Sequence, residues 1–461
     1  MFLTMRNKFS KVNISCLALC WGFVACSTEP QSEPPTYHTS AKAIIDAKCA
    51  GCHQADNLGP FPLTTFEEVE RFSVPAKAAI ESGAMPPWQP ADGCSTYDNN
   101  TDLTPEERKT LLAFFDKPVK GEASLDSSNM ESEVPSDKWT PDLTLSLPTP
   151  FKPTVTPDDY RCQLIEWPLE EEAYVTAFSV TPDQRAIVHH TIVFVAPPDQ
   201  AESFRAMDEA EDGPGYTCFG GPSASSAMTM QGLRSQQSTG WLGSWVPGGA
   251  SGKFPDGLGI RVEPGSLLIV QMHYNLLNAE SVADQSKINV AYAKEVEKPA
   301  MFLPFTDIGW VSNGRVGGEP MTIPAGEANV EHSTTLGAQG LLLNNFRQRI
   351  GADSDESLVI YNAGAHMHTL GQTIRIDIER PTKEECVLDI QDWDFNWQGN
   401  YQLSQPKILG PEDKLRLSCS WDNSAANQIM VEGALRAPTD VQWGEGTTDE
   451  MCLGVLLVAK E

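Results

Sequence analysis

Basic residues are in short supply: 33 Lys and Arg stand against 62 Asp and Glu in 461 residues, a formal charge of −29. So acidic a surface repels nucleic acid and anionic lipid head groups, which argues against either as a direct partner. Long apolar runs are also missing. Beyond the first 26 residues nothing approaches the roughly 20 apolar residues of a membrane span. No segment repeats with a fixed period, which argues against solenoids and propellers. Helical periodicity is scarce after Trp139, and histidine is scarce everywhere, with eight in the chain.

The first 25 residues read as a processing segment, not as part of the fold. Arg6, Lys8 and Lys11 precede a mostly apolar stretch over residues 14–25, followed by Cys26 and a polar tether over 26–36. Phe23-Val24-Ala25-Cys26 resembles a lipobox, with Phe where Leu is usual. The expectation is a lipoprotein-type signal peptide over 1–25, with Cys26 lipidated. The mature protein would be exported to the periplasm or cell surface, and Ser27 after the cysteine resembles outer-membrane sorting. Losing the leader removes three cations and no anions, taking the charge to about −32. Of 11 cysteines, Cys16 and Cys20 leave with it. Cys49 and Cys52 belong to a motif treated below. Six remain: Cys94, Cys162, Cys218, Cys386, Cys419 and Cys452. An even remainder in an oxidising compartment suggests disulfides.

Three regions follow the tether. Residues 37–118 read as a small helical domain. Helical apolar spacing runs over 41–48 and 104–115, the second opening with Thr104 as N-cap and Pro105 at the first helical position. Residues 119–140 are Ser-, Glu- and Asp-rich without period, a flexible linker. From 141 onward, alternating β-rich runs at 173–178, 187–195, 266–274, 358–362 and 373–378 are punctuated by Gly and Pro. That pattern predicts two all-β domains of sandwich or jelly-roll type, 141–296 and 297–461.

Cys49-Ala50-Gly51-Cys52-His53 has the spacing of a c-type haem attachment site. Two thiols add to the haem vinyl groups, and the adjacent histidine sits under the iron. Gly83-Ala84-Met85-Pro86-Pro87-Trp88 then supplies a thioether at the spacing of a distal ligand. Met opposite His raises the potential and suits electron transfer. The expectation is a small cytochrome c domain carrying one haem c on Cys49, Cys52, His53 and Met85.

Five other histidines fall into three motifs: His189-His190, His273 and His366-Met367-His368. Residues two apart on a strand face the same side, so His366 and His368 can clamp one ion with Met367 turned away. Adjacent residues face opposite sides, so His189 and His190 can share an ion only at a bend or bulge. His273 ends an apolar strand and could complete that site. Imidazole suits zinc, copper, iron or nickel. One histidine pair in a β protein is more often structural, but three motifs amid so few histidines reverse that expectation.

From about residue 159 onward the chain resembles the type II copper, ascorbate-dependent monooxygenases, the family of peptidylglycine α-hydroxylating monooxygenase and dopamine β-monooxygenase. The matching runs are AIVHHTIVF, PDGLGIRVEPGSLLIVQMHYN, HMHTLG, WDFNWQGNY, and LRLSCSWDN with TTDEMC. The resemblance implies two copper ions facing a solvent-filled cleft between two β-sandwich domains. His189, His190 and His273 would hold the electron-transfer copper. His366, His368 and Met451 would hold the oxygen-binding copper and carry the catalysis. Cys419 and Cys452 would form a family disulfide, leaving three possible pairings for the other four cysteines.

The implied activity is hydroxylation of a C–H bond with dioxygen, two electrons being drawn from an ascorbate-like reductant or a redox protein. The tethered haem could feed them internally, held near by the linker at high effective concentration. The arginine that grips a peptide carboxylate in the amidating enzyme is replaced by Gly364. A polar residue and a tyrosine beyond the Met-Cys step are replaced by Leu453 and Val455. The expected small-molecule substrate is therefore apolar rather than a glycine-extended peptide. The missing clamp also leaves room for a non-enzymatic reading, a haem and copper electron carrier or copper-handling lipoprotein.

Overall fold

The computed structural model describes residues 34–461 apart from 55–58, 123–138, 219–220, 224–238, 247–251, 277–278, 316, 338–339 and 432–433. The leader, Cys26 and most of the expected linker lie outside the described residues.

The helical unit begins with a π-helical turn, Tyr37–Ala41, and continues through α1 (Lys42–Lys48), α2 (Phe66–Arg71), α3 (Ser73–Ser82) and α4 (Pro105–Asp116). The start of α4 is the one its sequence predicts. The Thr104 hydroxyl accepts from the Glu107 amide, and the Glu107 carboxylate accepts from the Thr104 amide at 2.8 Å, so each side chain satisfies a donor with no intrahelical partner. Thr65 and Glu68 repeat the device on α2. Helix α3 stops at Gly83, whose φ of 79° is open to glycine at little cost. Ile45, Val69, Ile80, Leu111, Phe114 and Phe115 form this unit's core.

The first β region contains β1 (Leu143–Ser146), β2 (Asp158–Glu166), β3 (Ala173–Thr181), β4 (Val188–Ala196), α5 (Pro198–Glu209), β5 (Gly240–Trp245), β6 (Leu258–Val262), β7 (Leu267–Asn275) and β8 (Lys287–Ala293). The second contains β9 (Lys298–Phe305), β10 (Val330–Gly337), β11 (Leu358–His366), β12 (Gly371–Glu379), β13 (Glu384–Ile390), β14 (Asn400–Leu409), β15 (Lys414–Trp421) and β16 (Leu453–Lys460). Three main sheets result. One has the order β2-β7-β4-β5, with the short strand Tyr216–Thr217 beside β2, and another the order β10-β15-β12-β13. The third is shared by both regions, in the order β1-β8-β3-β6-β9-β16-β11-β14. The β6–β9 pair that joins the two regions is parallel. The two regions are thus stitched through backbone hydrogen bonds, and β9 follows directly on the expected boundary after residue 296.

Strand β7 shows why its sequence reads as an unbroken apolar run. Leu268, Val270, Met272 and Tyr274 face a core shared with the long sheet, whereas Leu267 and Ile269 face Ala201 and Phe204 of α5. Both faces are covered, so alternation disappears. His273 lies at the end of this strand, buried to 2% exposure.

Three disulfides cross-link the described residues: Cys94–Cys386, Cys162–Cys218 and Cys419–Cys452. The last is the pair implied by the resemblance, and the first two select one of the three open pairings. Cys94–Cys386 spans 292 residues and ties the helical unit to β13. Around it, residues 88–99 lie along the second β region as a strap. Pro90 bridges to Ile390 and Tyr97 to Leu403. The Tyr97 hydroxyl donates to the Val387 carbonyl at 2.9 Å, and the Asn99 amide to the Asn400 carbonyl at 2.8 Å. The sequence suggested a unit held only by a linker, but the structure docks it.

Leu268 is fully buried at the centre of β7. Leu268→Ala is expected to cost about 2–5 kcal/mol through lost burial and a residual cavity, read as a lowered urea midpoint.

Candidate metal centre

The first three histidines meet because β4 carries an extra residue. Its register with β7 pairs Val188 with Tyr274 and His190 with His273, leaving His189 as the bulged residue. The bulge turns adjacent side chains toward one point, which a regular strand would forbid. The His190 Nδ1 lies 3.2 Å from the His273 Nδ1 and 3.3 Å from the His189 Nδ1. Such nitrogen–nitrogen spacings match the edge of a tetrahedron whose metal–nitrogen bonds are about 2.0 Å.

Protonation at the far side of His273 fixes which nitrogen faces inward. Its Nε2–H donates to Asp158 Oδ1 at 2.9 Å, which leaves Nδ1 bare. Asp158 is held in turn by the Asn275 amide at 2.8 Å and the Thr447 hydroxyl at 3.0 Å. Burial pushes Asp158 up, but the bonds from His273, Asn275 and Thr447 outweigh it and hold the carboxyl down at about 2. A carboxylate behind a ring nitrogen orients a metal ligand and raises its basicity.

The second set stands at the end of β11. His366 Nδ1 donates to Gln398 Oε1 at 2.6 Å, and His368 Nδ1 to the Asp449 carbonyl at 3.1 Å. Both Nε2 atoms are thereby left as acceptors. The two rings are 5.0 Å apart between centroids, while Met367 packs into the core. β11 pairs with β16, and His366 is the register partner of Leu453. The residues just ahead of β16 therefore cross His368. Glu450 accepts from the amides of His368 at 2.9 Å, Leu370 at 2.6 Å and Met451 at 3.3 Å, and from the Trp421 indole at 2.9 Å. Met451 is buried between this carboxylate and the Cys419–Cys452 bridge. Burial raises the Glu450 carboxyl to about 7, against the lowering effect of its four donors.

The two sets touch. His190 and His366 lie edge to face with centroids 6.3 Å apart, and Phe395 stacks on His189 at 5.0 Å while meeting His368 at 6.0 Å. The open cleft implied by the resemblance is thus closed in this structure. Burial holds His189 down at about 3 and His366 at about 4, and pushes His190, His273 and His368 below the ordinary range. His273 and His368 are buried and the other three histidines half-buried. With outward partners for the ring protons of His273, His366 and His368, these neutral imidazoles form a donor set suited to a soft or borderline cation.

Gly364 pairs directly with Val455 across the β11–β16 ladder. A Cβ there would already meet Asn400 Oδ1 at 3.3 Å and the Gly399 carbonyl at 3.5 Å. With the Val455 carbonyl, three oxygens border Gly364, and neither it nor Leu453 nor Val455 places a charged side chain there.

In the helical unit, Cys49 and Cys52 remain unpaired while the other six described cysteines are bridged. Burial lifts the Cys49 thiol to about 12, unlike the depressed thiols of metal-ligating or redox pairs. His53 Nδ1 donates to the Phe61 carbonyl at 2.9 Å, leaving Nε2 free. Phe61 stacks on Phe72 beside it, and a Cβ at Gly59 would come within 2.6 Å of the His53 ring, so only glycine lets the chain pass. Two neutral thiols, one free ring nitrogen and aromatic walls fit the attachment of a haem.

Sequence reasoning did not reach Asp158, Gln398, Phe395 or Glu450. Glu450 sits beside Met451 in a run already singled out, so an acid adjoining a ligand was a usable signal. Phe395 and Gln398 likewise lie in the singled-out run WDFNWQGNY, whereas Asp158 acts across 115 residues and nothing local marks it.

No family model matches the chain. A stretch of 219 residues is 23% identical to the DBH-like monooxygenase protein 2 of Mus musculus, covering 46% of this chain and 31% of that protein. The chain therefore spans less than a third of that relative's length, and the likeness is a distant one to a protein named as a monooxygenase. Among solved structures, the infectious bursal disease virus VP2 subviral particle overlaps 70% of this chain and 73% of its own at a TM-score of 0.16 and 9% identity. Overlap of that quality carries no argument. The three disulfides fit an oxidising compartment, and no helix among the described residues is long and apolar enough to cross a membrane.

Asp158→Asn is expected to weaken metal binding at the His189/His190/His273 set about 10–100-fold, read by competition with a chelator. Because burial already keeps His189 and His366 neutral down to about 3 and about 4, protons compete little with metal. Affinity corrected for the competitor should therefore stay flat between about pH 7 and about pH 5, where each free imidazole would lose roughly 25-fold.

Proposed function

We propose that this protein is an exported copper-dependent monooxygenase that hydroxylates a C–H bond of a small apolar substrate with dioxygen. It receives electrons through a c-type haem on residues 37–118. The observation that carries this reading is the convergence of His189, His190 and His273, with the His190 Nδ1 3.2 Å and 3.3 Å from the Nδ1 atoms of His273 and His189, beside a second histidine pair. His189, His190 and His273 would hold one copper, and His366, His368 and Met451 the other, the thioether favouring the reduced ion. Bound copper supplies one-electron chemistry toward dioxygen.

The chain's own contribution is orientation and exclusion. Asp158, Gln398 and the Asp449 carbonyl each take one ring proton, so the opposite nitrogens of His273, His366 and His368 would be donors to metal. Glu450 fixes the backbone on both sides of the second set. Gly364, Leu453 and Val455 offer no charge to a carboxylate, which favours an apolar substrate. Cys49 and Cys52 would attach the haem, with His53 and Met85 as its axial ligands. Cys26 would carry the lipid that anchors the protein to a membrane, in keeping with export to the periplasm or cell surface and the outer membrane.

Closure of the strands over Gly364 favours one other reading, a haem and copper electron carrier without turnover. The purified protein is expected to contain two copper ions and one haem. With labelled dioxygen and an apolar extract it should place the label in a new hydroxyl group, and His366→Ala should abolish incorporation. Oxygen uptake without labelled product would favour the carrier, and copper-free protein would overturn both readings.

A further inference from the structure

The strap, which begins just beyond Met85, and the histidine cluster lie on opposite sides of one short loop. Residues 391–399 join β13 to β14 and touch three of the five histidines. Phe395 stacks on His189, the Trp393 indole donates to the His368 carbonyl at 3.1 Å, and Gln398 takes the His366 ring proton. The strap grips the same loop from behind. Gln89 Nε2 donates to the Asp394 carbonyl at 3.1 Å, one residue before Phe395. Trp88 packs edge-on against Tyr401 at 5.3 Å, and the Ala91 amide donates to the Asp389 carbonyl at 2.7 Å. Gln89 lies four residues beyond Met85.

We infer that this contact is the electron entry point of the cluster. An electron leaving the helical unit passes along Met85–Gln89, across the Gln89–Asp394 hydrogen bond and through Phe395 to His189. The inference rests on the proposed haem and copper loading. The step is an outer-sphere transfer: ferrous haem becomes ferric, Cu(II) at His189/His190/His273 becomes Cu(I), and no bond or proton moves. Cys94–Cys386 and the hydrogen bonds around it serve to hold donor and acceptor in one orientation. Gln89 and Phe395 are positioning residues, since neither contacts a reacting substrate. A route inferred from contiguity alone is only a correlation, so the test must break it at separate points.

The test uses full-length protein loaded with haem and Cu(II), kept anaerobic. The haem is reduced by a light pulse in the presence of a photoreductant, and its visible band is followed. The wild type should reoxidise in a first-order phase independent of protein concentration. Gln89→Leu, which touches no histidine, and Phe395→Leu should each slow that phase about tenfold or more, the scale on which misplaced partners lose rate. Cys94→Ser should act in the same direction, so the outcome does not hang on one substitution. The haem spectrum and the Cu(II) paramagnetic signal should match the wild type in Gln89→Leu, which separates a lost route from a lost site.

Wild-type rates in all three variants would overturn the route while leaving the proposed function standing. Concentration-dependent reoxidation in the wild type would do the same. Protein that binds no haem or no copper would overturn the proposed function and the route with it.

Discussion

A neutral imidazole carries one proton, and a buried one must place it on a partner. Wherever that proton goes, the other nitrogen becomes a bare lone pair. The candidate site depends on this constraint. Asp158, Gln398 and the Asp449 carbonyl draw the protons of His273, His366 and His368 outward. Desolvation then keeps the rings from taking a second proton. The nitrogens opposite those partners are thereby left as lone pairs able to accept a cation.

The fold supplies that arrangement by irregularity at strand ends. A bulge in β4 brings His189 around to His190, and β7 delivers His273 at its last turns of pleat. His368 lies just past the end of β11, where the ladder no longer needs its amide and the Glu450 carboxylate can take it. That carboxylate is buried at full desolvation cost, offset by four donors, which makes the 450–452 segment rigid. Thr447 reaches Asp158 from the same segment. The two histidine sets are therefore coupled through the second β region's chain before any metal is considered.

Much of this was legible from residues. Scarcity of histidine made five clustered ones conspicuous, and the alternation rule stated in advance that His189 and His190 need a bulge. Thr104 and Pro105 announced α4, and the apolar run ending at His273 announced a strand. What could not be read were contacts between segments far apart in the chain. Asp158 sits in an ordinary Asp-Asp pair, and only the β2–β7 register brings it to His273. Cys94 gave no sign of choosing Cys386 among its possible partners. The closure of the two sets against each other was likewise invisible, because no local pattern encodes the distance between strand ends in different sheets.

The strap changes what residues 37–118 are for. A flexible linker alone would hold that unit at a millimolar effective concentration with its orientation unconstrained. If each unit held a redox centre, as proposed, transfer between them would depend on separation and facing, so concentration without orientation would give little. Closing a loop across 292 residues removes up to about 5 kcal/mol of chain entropy from the unfolded state in the simplest model. The bridge thus stabilises the one arrangement in which Gln89 meets Asp394. Such a bond forms and persists in an oxidising compartment, so the architecture is consistent with export. In a reducing environment the same sequence would keep its β core but lose the covalent tie that sets the helical unit against the histidines.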